Sequence, residues 1–173
     1  MSYELYSKLK ALSIDASWIG LSIEEGPDYF CTPIGSTIIG WDNGIHYCFI
    51  EGFGEMVFCV NPETCCDYYV YPLANNFNDF LSLILATQNT NTMQQVILWD
   101  KKMFELFMND PSNIEYSTKK EVQAALNTIR SELNIQPMKD PFEYIKKIQQ
   151  DFPYNQIKYS DEFYDITGLC KPI

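Results

Sequence analysis

The sequence contains a single histidine, His46, and only 12 lysines and arginines against 23 acidic residues. With one histidine, any histidine-assisted nucleophile would have to use this residue, which leaves few catalytic arrangements open. The shortage of basic residues gives a net charge of −11 at pH 7. A field of this sign repels nucleic acid and anionic membranes and attracts basic protein surfaces. The charge therefore predicts a basic protein partner, and neither nucleic acid nor membrane.

Long hydrophobic runs are also missing. The N-terminal stretch MSYELYSKLKAL has no apolar core of signal-peptide length, and no later run approaches the length of a membrane span. These absences predict a cytoplasmic protein in a reducing compartment, where cysteines are thiols.

The cysteines lack any CxxC pair, and the adjacent Cys65 and Cys66 do not have the usual spacing of zinc ligands. Cys48 and Cys59 lie in apolar runs, where cysteine behaves as a small hydrophobic residue. We therefore expect neither a metal site nor a cofactor.

What the sequence does have is apolar and aromatic content, 46% and 15% of its 173 residues. This composition argues against disorder and is enough for a sizeable core. The length and the absence of internal repeats predict one domain over residues 1–173.

The clearest local pattern is a β-hairpin. Residues 37–42 and 45–50 are rich in β-branched and aromatic residues, and Asn43-Gly44 separates them. Asn-Gly is the preferred type I′ turn, because both central positions require positive φ.

Three further strands are predicted around this hairpin. Residues 18–23 alternate like a half-buried strand, residues 56–60 are rich in β-formers, and residues 68–71 form a strand closed by Pro72. The expected sheet is an antiparallel meander of about four to six strands, with a mixed sheet left open. Its middle strands are apolar on both faces, so both faces should be covered.

Helical periodicity marks the N-terminus, residues 2–12, and most of the chain after Asn75. We predict four later helices: one capped by Asn76, one over 92–109, one opened by a Thr118–Glu121 capping box, and one from Asp140-Pro141 to about 152. The tail from residue 154 has mixed signals and receives no assignment. Strands followed by helices indicate an α+β fold, with N-terminal and C-terminal helices packed on the sheet.

The glycine pair in EGFGE, residues 51–55, could suggest a phosphate-binding loop. Such a loop needs a third glycine and leads from a strand into a helix. Here a strand follows, and Glu51 and Glu55 would repel phosphate. We predict that Gly52 and Gly54 only turn the chain.

No catalytic constellation stands out. His46 is expected opposite Trp41 in the hairpin, where a structural role is favoured over a Cys–His nucleophile. Acidic pairs such as Glu24-Glu25 and Asp161-Glu162 are expected to be solvated, although a divalent cation could bridge a few acids weakly.

Aromatic residues mixed with acids at strand ends and turns suggest a binding surface. Aromatic residues are favoured at interface cores, and an acidic rim selects a basic partner. The alternative is that these aromatic side chains belong to the domain's own core. The predicted partner-binding residues are Trp41, Asp42, Glu51, Phe53, Glu55, Asp67 and Tyr68.

The stretches GIHYCFIEGFGEMVFCVNP and YYVYPLANNFNDFLSLIL together resemble the SUKH superfamily, which includes Smi/Knr-type yeast cell-wall regulators. The resemblance covers residues 18–85, mostly at apolar and glycine positions, which specify a fold more than an activity. The LP…NGG-like segment common in that family is missing, and the first 35 residues look shortened or diverged. The resemblance implies a mixed sheet with packed helices. It transfers no catalytic and no contact residue.

The resemblance also implies a binding module. Bacterial members resemble immunity proteins that neutralise toxins, often nucleases, and eukaryotic members resemble regulatory adaptors. Our leading hypothesis is a non-enzymatic immunity-type protein that blocks a basic toxin domain. The alternative is an intracellular adaptor, for example a regulator of cell-wall (glucan) synthesis. An enzyme with a Cys–His or carboxylate pair is the weakest hypothesis.

Overall fold

The structure, a computed structural model, describes residues 2–24, 26–64 and 66–171. Within these ranges the chain forms an α+β fold of one four-stranded sheet, eight α-helices and two short 3₁₀ segments. The predicted fold class is confirmed.

The sheet is a simple meander in which each strand pairs with the next along the chain. Its strands are β1 (Ser36–Asp42), β2 (Ile45–Ile50), β3 (Val57–Val60) and β4 (Val70–Ala74). All three pairings in the described part of the chain are antiparallel. The antiparallel meander is therefore confirmed, and the mixed sheet that the resemblance implied is not formed by these strands.

The β1–β2 turn has the predicted geometry, since Asn43 has φ 49° and Gly44 has φ 90°. Trp41 lies directly opposite His46 across the hairpin, as expected.

At the other end of β2, EGFGE leads straight into β3 with Gly52 at φ 91° and Gly54 at φ 65°. The two glycines turn the chain at a point where other residues would be strained.

Residues 18–23 do not form the predicted strand. Asp15 caps a 3₁₀ helix, Ala16–Ile19, by accepting a hydrogen bond from the Ser17 backbone N–H at 3.1 Å. Gly20 ends this helix in the left-handed conformation, and of the predicted strand only Ser22 bridges to β1, through Trp41. The capping interaction outweighed the alternating hydrophobic pattern.

The last strand also differs from its prediction, because β4 begins two residues later than expected and continues through Pro72. A proline has no N–H for a sheet ladder, so strands accept it mainly at an edge. β4 is an edge strand, and Pro72 pairs with Phe58 on its one neighbour.

The helices are α1 (Ser2–Ala11), α2 (Phe77–Thr87), α3 (Thr90–Gln95), α4 (Lys101–Met108), α5 (Pro111–Ser117), α6 (Lys120–Glu132), α7 (Pro141–Gln150) and α8 (Asp161–Thr167). The predicted helices at 2–12 and after Asn76 are present. The Asn76 side chain caps α2 by accepting from the Asp79 N–H at 2.9 Å.

Two helix predictions are wrong in detail. The single helix over 92–109 is divided into α3 and α4, because the Asp100 side chain caps a new helix by accepting from the Met103 N–H at 2.8 Å. The predicted capping box is not formed either: Thr118 ends α5, and Lys119 precedes α6 without a side-chain cap.

The unassigned tail forms a second 3₁₀ segment, Tyr154–Gln156, followed by α8. Phe152, Ile157 and Phe163 pack on the sheet face that carries Phe58. The larger core lies on the opposite face, where helices cover the alternate strand residues, including Tyr47. Both sheet faces are covered, as predicted.

Candidate functional site

An open cleft of about 730 Å³ lies at the hairpin end of the sheet. The end of β1, the segment after the first 3₁₀ helix, α3 and the α4–α5 turn form its walls. Three lining residues are acidic and three are aromatic, and none of the lining residues in the described chain is basic: Asp42, Glu63, Asp110, Trp41, Phe107 and Tyr116. Six more carry amides: Asn43, Asn89, Asn91, Gln94, Gln95 and Asn113.

Asp42, the last residue of β1, is held in place by neutral donors. Its Oδ2 accepts a hydrogen bond from Gln94 Nε2 at 2.7 Å and lies 3.4 Å from Thr90 Oγ1, and its Oδ1 accepts from Asn43 Nδ2 at 3.3 Å. None of the three ion pairs found between described residues involves a cleft carboxylate. The structure therefore presents an oriented negative charge to the cleft.

Gln94 connects this carboxylate to the core. Its Nε2 also donates to the Tyr47 hydroxyl, and its backbone carbonyl accepts from the Tyr71 hydroxyl at 2.8 Å. Burial raises the pKa of both tyrosines well above the ordinary value, so both stay protonated. A buried hydrogen-bond network thus supports the floor of the cleft.

Two walls of the cleft meet where Thr90 Oγ1 donates to the Gly20 carbonyl at 2.7 Å. Gly20 has φ 72°, and a Cβ atom placed on it would lie 2.1 Å from Thr90 Oγ1. Only glycine fits this contact without displacement.

Tyr116 of α5 forms part of the opposite wall. Its hydroxyl donates to the Trp18 carbonyl at 2.9 Å, and Lys119 Nζ lies 4.6 Å from its ring centroid. Burial, together with the negative charge of Asp42, raises the pKa of Tyr116. The rim of the cleft already contains one cation on an aromatic ring.

Trp41 packs against His46, with ring centroids 4.6 Å apart. His46 is fully buried, and its Nε2 lies 3.1 Å from Thr32 Oγ1. Burial lowers the pKa of His46 to about 4, so the ring is neutral near pH 7. This environment supports the structural role predicted for the histidine.

The buried cysteines are also poor nucleophiles. Burial raises the pKa of Cys31 to about 11 and that of Cys48 to about 12, and it raises the pKa of Cys59 further. The five described cysteines are free thiols, and Cys65 lies outside the described residues. In the same ranges, no group of three or more His, Cys, Asp or Glu side chains could hold a metal ion.

The seven predicted partner-binding residues do not form one surface. Trp41 and Asp42 line the cleft, whereas Glu51 and Phe53 lie at the opposite end of β2 and line a second cavity of about 970 Å³. That cavity is also lined by Lys158 and Lys171, so it carries both charge signs.

Glu55 and Phe53 have structural contacts at this opposite end. Glu55 Oε1 accepts a hydrogen bond from the Ser2 N–H at 3.0 Å. Phe53 packs against Phe58 and Phe152, with ring centroids 5.4 and 5.3 Å away. Phe53 is thus half-buried against the smaller core while it also lines the second cavity.

Asp67 and Tyr68 lie in the β3–β4 connection, at the hairpin end but outside the cleft lining. Tyr68 stacks on Tyr154 with centroids 3.9 Å apart and remains 41% exposed.

Sequence reasoning missed the α3 amides and Tyr116, which complete the cleft. The run QNTNTMQQ, residues 88–95, is unusually rich in amides, and this was the one available signal.

No protein-family model matches the chain, and no curated protein or solved structure is significantly similar to it. The resemblance to SUKH proteins therefore remains a prediction from residues 18–85. Across residues 2–24, 26–64 and 66–171, no helix has the length and apolar character needed to cross a membrane.

Proposed function

We propose that this protein is a non-catalytic binding module that docks its acidic, aromatic-lined cleft onto a basic surface of another protein. The observation that carries the proposal is the composition of the cleft lining: three acidic and three aromatic residues line the cleft, and none of its described lining residues is basic. Aromatic residues supply contact area, and carboxylates that form no ion pair with the described residues select a positively charged partner and speed its association.

The second cavity is a weaker candidate for this role. Lys158 and Lys171 line it beside Glu51, so its field is mixed. A basic partner would be attracted less strongly there than at the hairpin end.

The specific role we propose is that of a cytoplasmic immunity protein of SUKH type that neutralises a toxin domain. A nuclease must present lysines and arginines to phosphates, and an acidic inhibitor can cover that surface. The net charge of −11 and the resemblance of residues 18–85 support this role.

A capture experiment tests the proposal. The purified protein is immobilised and exposed to native lysate at low and at high salt, beside a variant with Asp42→Asn, Glu63→Gln and Asp110→Asn. We expect a basic protein that is retained at low salt, released at high salt and lost from the variant. Co-expression of the captured protein with this one should then restore growth if the partner is a toxin.

A charge-matched variant, with Glu51→Gln, Glu132→Gln and Glu162→Gln, removes the same number of negative charges at exposed positions outside the cleft. An acidic partner, or equal capture by wild type and the cleft variant, would contradict the proposal. A captured signalling or cell-wall protein would support the binding function and replace the immunity role by the adaptor role.

A further inference from the structure

A cavity of about 530 Å³ lies beside the C-terminal half of α7, and we call it the α7 cavity. The lining residues that matter here are Tyr68, Ile97, Lys146, Gln149, Phe152 and Tyr154. None of its described lining residues is acidic, although the chain has 23 acidic residues, and none of them lines the acidic cleft. A cavity of this size fits a small molecule or one residue of a peptide.

Two residues that line the α7 cavity have a buried polar atom without a hydrogen-bond partner among the described residues. These atoms are Gln149 Oε1 and the Tyr154 hydroxyl oxygen. Gln149 is only 5% exposed, and its Nε2 donates to the Pro72 carbonyl at 3.2 Å. This bond fixes the orientation of the amide, so Oε1 is the end left without a donor. Unpaired buried groups destabilise a fold, and the two together point to a ligand that supplies their missing partners.

Lys146 adds a positive charge to the same cavity. It lies three residues before Gln149 on α7, so the two side chains are neighbours on the helix surface. Its Nζ donates to the Ile97 carbonyl at 3.4 Å, and it takes part in none of the three ion pairs found between described residues. Partial burial of the ammonium lowers the pKa of Lys146. An ammonium with unused donors and no carboxylate partner favours an anionic ligand.

The lining also limits the chemistry of this ligand. One lysine suits a single negative charge, because the net charge of −11 opposes a more highly charged anion such as phosphate. The Tyr154 hydroxyl can donate to a carboxylate oxygen, whereas Gln149 Oε1 requires a donor such as an amide N–H. Ile97 and Phe152 offer apolar surface. An acylated amino acid with an apolar side chain meets all these requirements, and a peptide C-terminus has the same chemistry.

We infer that the α7 cavity binds the carboxylate of an N-acylated apolar amino acid, with Lys146 and Tyr154 donating to the carboxylate and Gln149 Oε1 accepting its amide N–H. The ring of Tyr68 is 41% exposed and stacks on Tyr154 with ring centroids 3.9 Å apart. Because the two unpaired atoms are buried in the free protein, the ligand displaces this ring when it enters. The inference is independent of the proposed function, since it involves no residue of the cleft.

Three small probes test the inference on the full chain. N-acetyl-leucine carries every feature, N-acetyl-leucinamide lacks the charge, and 4-methylpentanoate keeps the carboxylate and the apolar side chain without the amide N–H. Each probe is titrated into ¹⁵N-labelled protein, and the backbone N–H signals of residues 66–70 and 146–152 are followed. We expect N-acetyl-leucine to shift these signals saturably. The amide should bind more weakly by about tenfold or more, and 4-methylpentanoate by about fivefold.

A fourth probe, acetylated glycyl-glycyl-leucine with a free carboxylate, distinguishes the two sources of this chemistry. Tighter binding than that of N-acetyl-leucine would identify a peptide C-terminus as the ligand. Weaker binding would identify a free acylated amino acid. Both results support the inference, because the carboxylate and the adjacent N–H are common to the two ligands.

Two variants examine the residues that make the contacts. Lys146→Met should weaken binding of N-acetyl-leucine by about tenfold or more. Lys147→Met removes the same charge from a neighbouring exposed residue outside this cavity and should change binding by less than about twofold. Tyr154→Phe removes a hydroxyl that has no partner, so it should weaken binding by about threefold without lowering the urea midpoint of unfolding. A merely structural hydroxyl would instead lower the midpoint and leave binding unchanged.

Equal binding of N-acetyl-leucine and N-acetyl-leucinamide to the wild-type protein would overturn the inference. So would saturable shifts that spare both segments, or no saturable shift up to about 10 mM, where a millimolar site is mostly filled. The comparison of probes needs no variant, so it stands even if a substitution impairs folding. These outcomes leave the proposed function intact, because that function depends on capture of a basic protein by the cleft.

Discussion

Gly20 is the residue on which the geometry of the cleft depends most directly. Its left-handed conformation ends the first 3₁₀ helix, and its carbonyl accepts the Thr90 hydroxyl that joins two walls of the cleft. The sequence indicates a break near this glycine only if the 3₁₀ helix is recognised. Asp15 indicates the start of this helix, whereas the alternating pattern of residues 18–23 favours a strand over the same residues.

Gly20→Ala should destabilise the protein by more than Gly54→Ala, although both positions have similar positive φ, 72° and 65°. Both variants pay for a left-handed alanine, about 1–2 kcal/mol. Only Gly20→Ala also forces Thr90 to move, which adds about 1–3 kcal/mol of overpacking, because nothing lies within 4 Å of a Cβ at Gly54. Urea denaturation measures both, and equal losses would show that the Gly20–Thr90 contact is not tight.

His46 should make the folded state sensitive to mild acid. Its pKa is lowered by burial to about 4, whereas in the unfolded chain it is near 6.5. Below pH 6.5, His46 binds a proton in the unfolded chain but not in the folded protein, which favours unfolding. The contribution of the neutral histidine to the free energy of unfolding is therefore complete above pH 6.5. It is lost as the pH falls to 4 and amounts to about 3 kcal/mol.

The measurement is the free energy of unfolding by urea at several pH values between 7 and 4, for wild type and His46→Phe. The difference in the free energy of unfolding between wild type and His46→Phe should change with pH over this range. Parallel pH dependences would contradict the buried neutral histidine.

At the scale of elements, two strong local signals were predicted correctly, whereas the Thr118–Glu121 capping box was wrong and the cap at Asp100 was missed. The Asn43-Gly44 hairpin and the Asn76-capped helix carry their own turn and cap chemistry, so the sequence was sufficient for both. Residues 92–109 keep helical spacing throughout, and only the cap at Asp100 divides them. Pro72 was read as a strand end because the sequence does not reveal that β4 is an edge strand.

The two aspartates that precede helices α4 and α7 should differ in their contribution to stability. Asp100 caps α4 through its side chain, whereas Asp140 precedes α7 without a side-chain cap. Asp100→Ala should therefore cost about 1 kcal/mol and Asp140→Ala much less. Thermal and urea unfolding of the two variants provide the comparison. A loss at Asp140 as large as that at Asp100 would be inconsistent with the capping seen here.

For the whole molecule, the sequence predicts the sign of the partner but not the place where it binds. The count of acids predicts attraction to a basic partner, and Trp41-Asp42 was one of several aromatic–acidic clusters of similar appearance. The fold separates these clusters between the two ends of the sheet. It also brings α3 and α5 to the hairpin end, where Gln94 and Tyr116 complete the cleft. No local pattern specifies contacts between residues so far apart in the chain.

Hydrogen–deuterium exchange of the complex with the captured partner tests the central claim most directly, because a docked surface slows the opening of the backbone that it covers. We expect slower exchange in residues 41–45, 89–95 and 107–116 of the complex than in the free protein, with residues 51–55 and 155–159 unchanged. Protection confined to residues 51–55 and 155–159 would place the partner at the other end of the sheet and contradict the account.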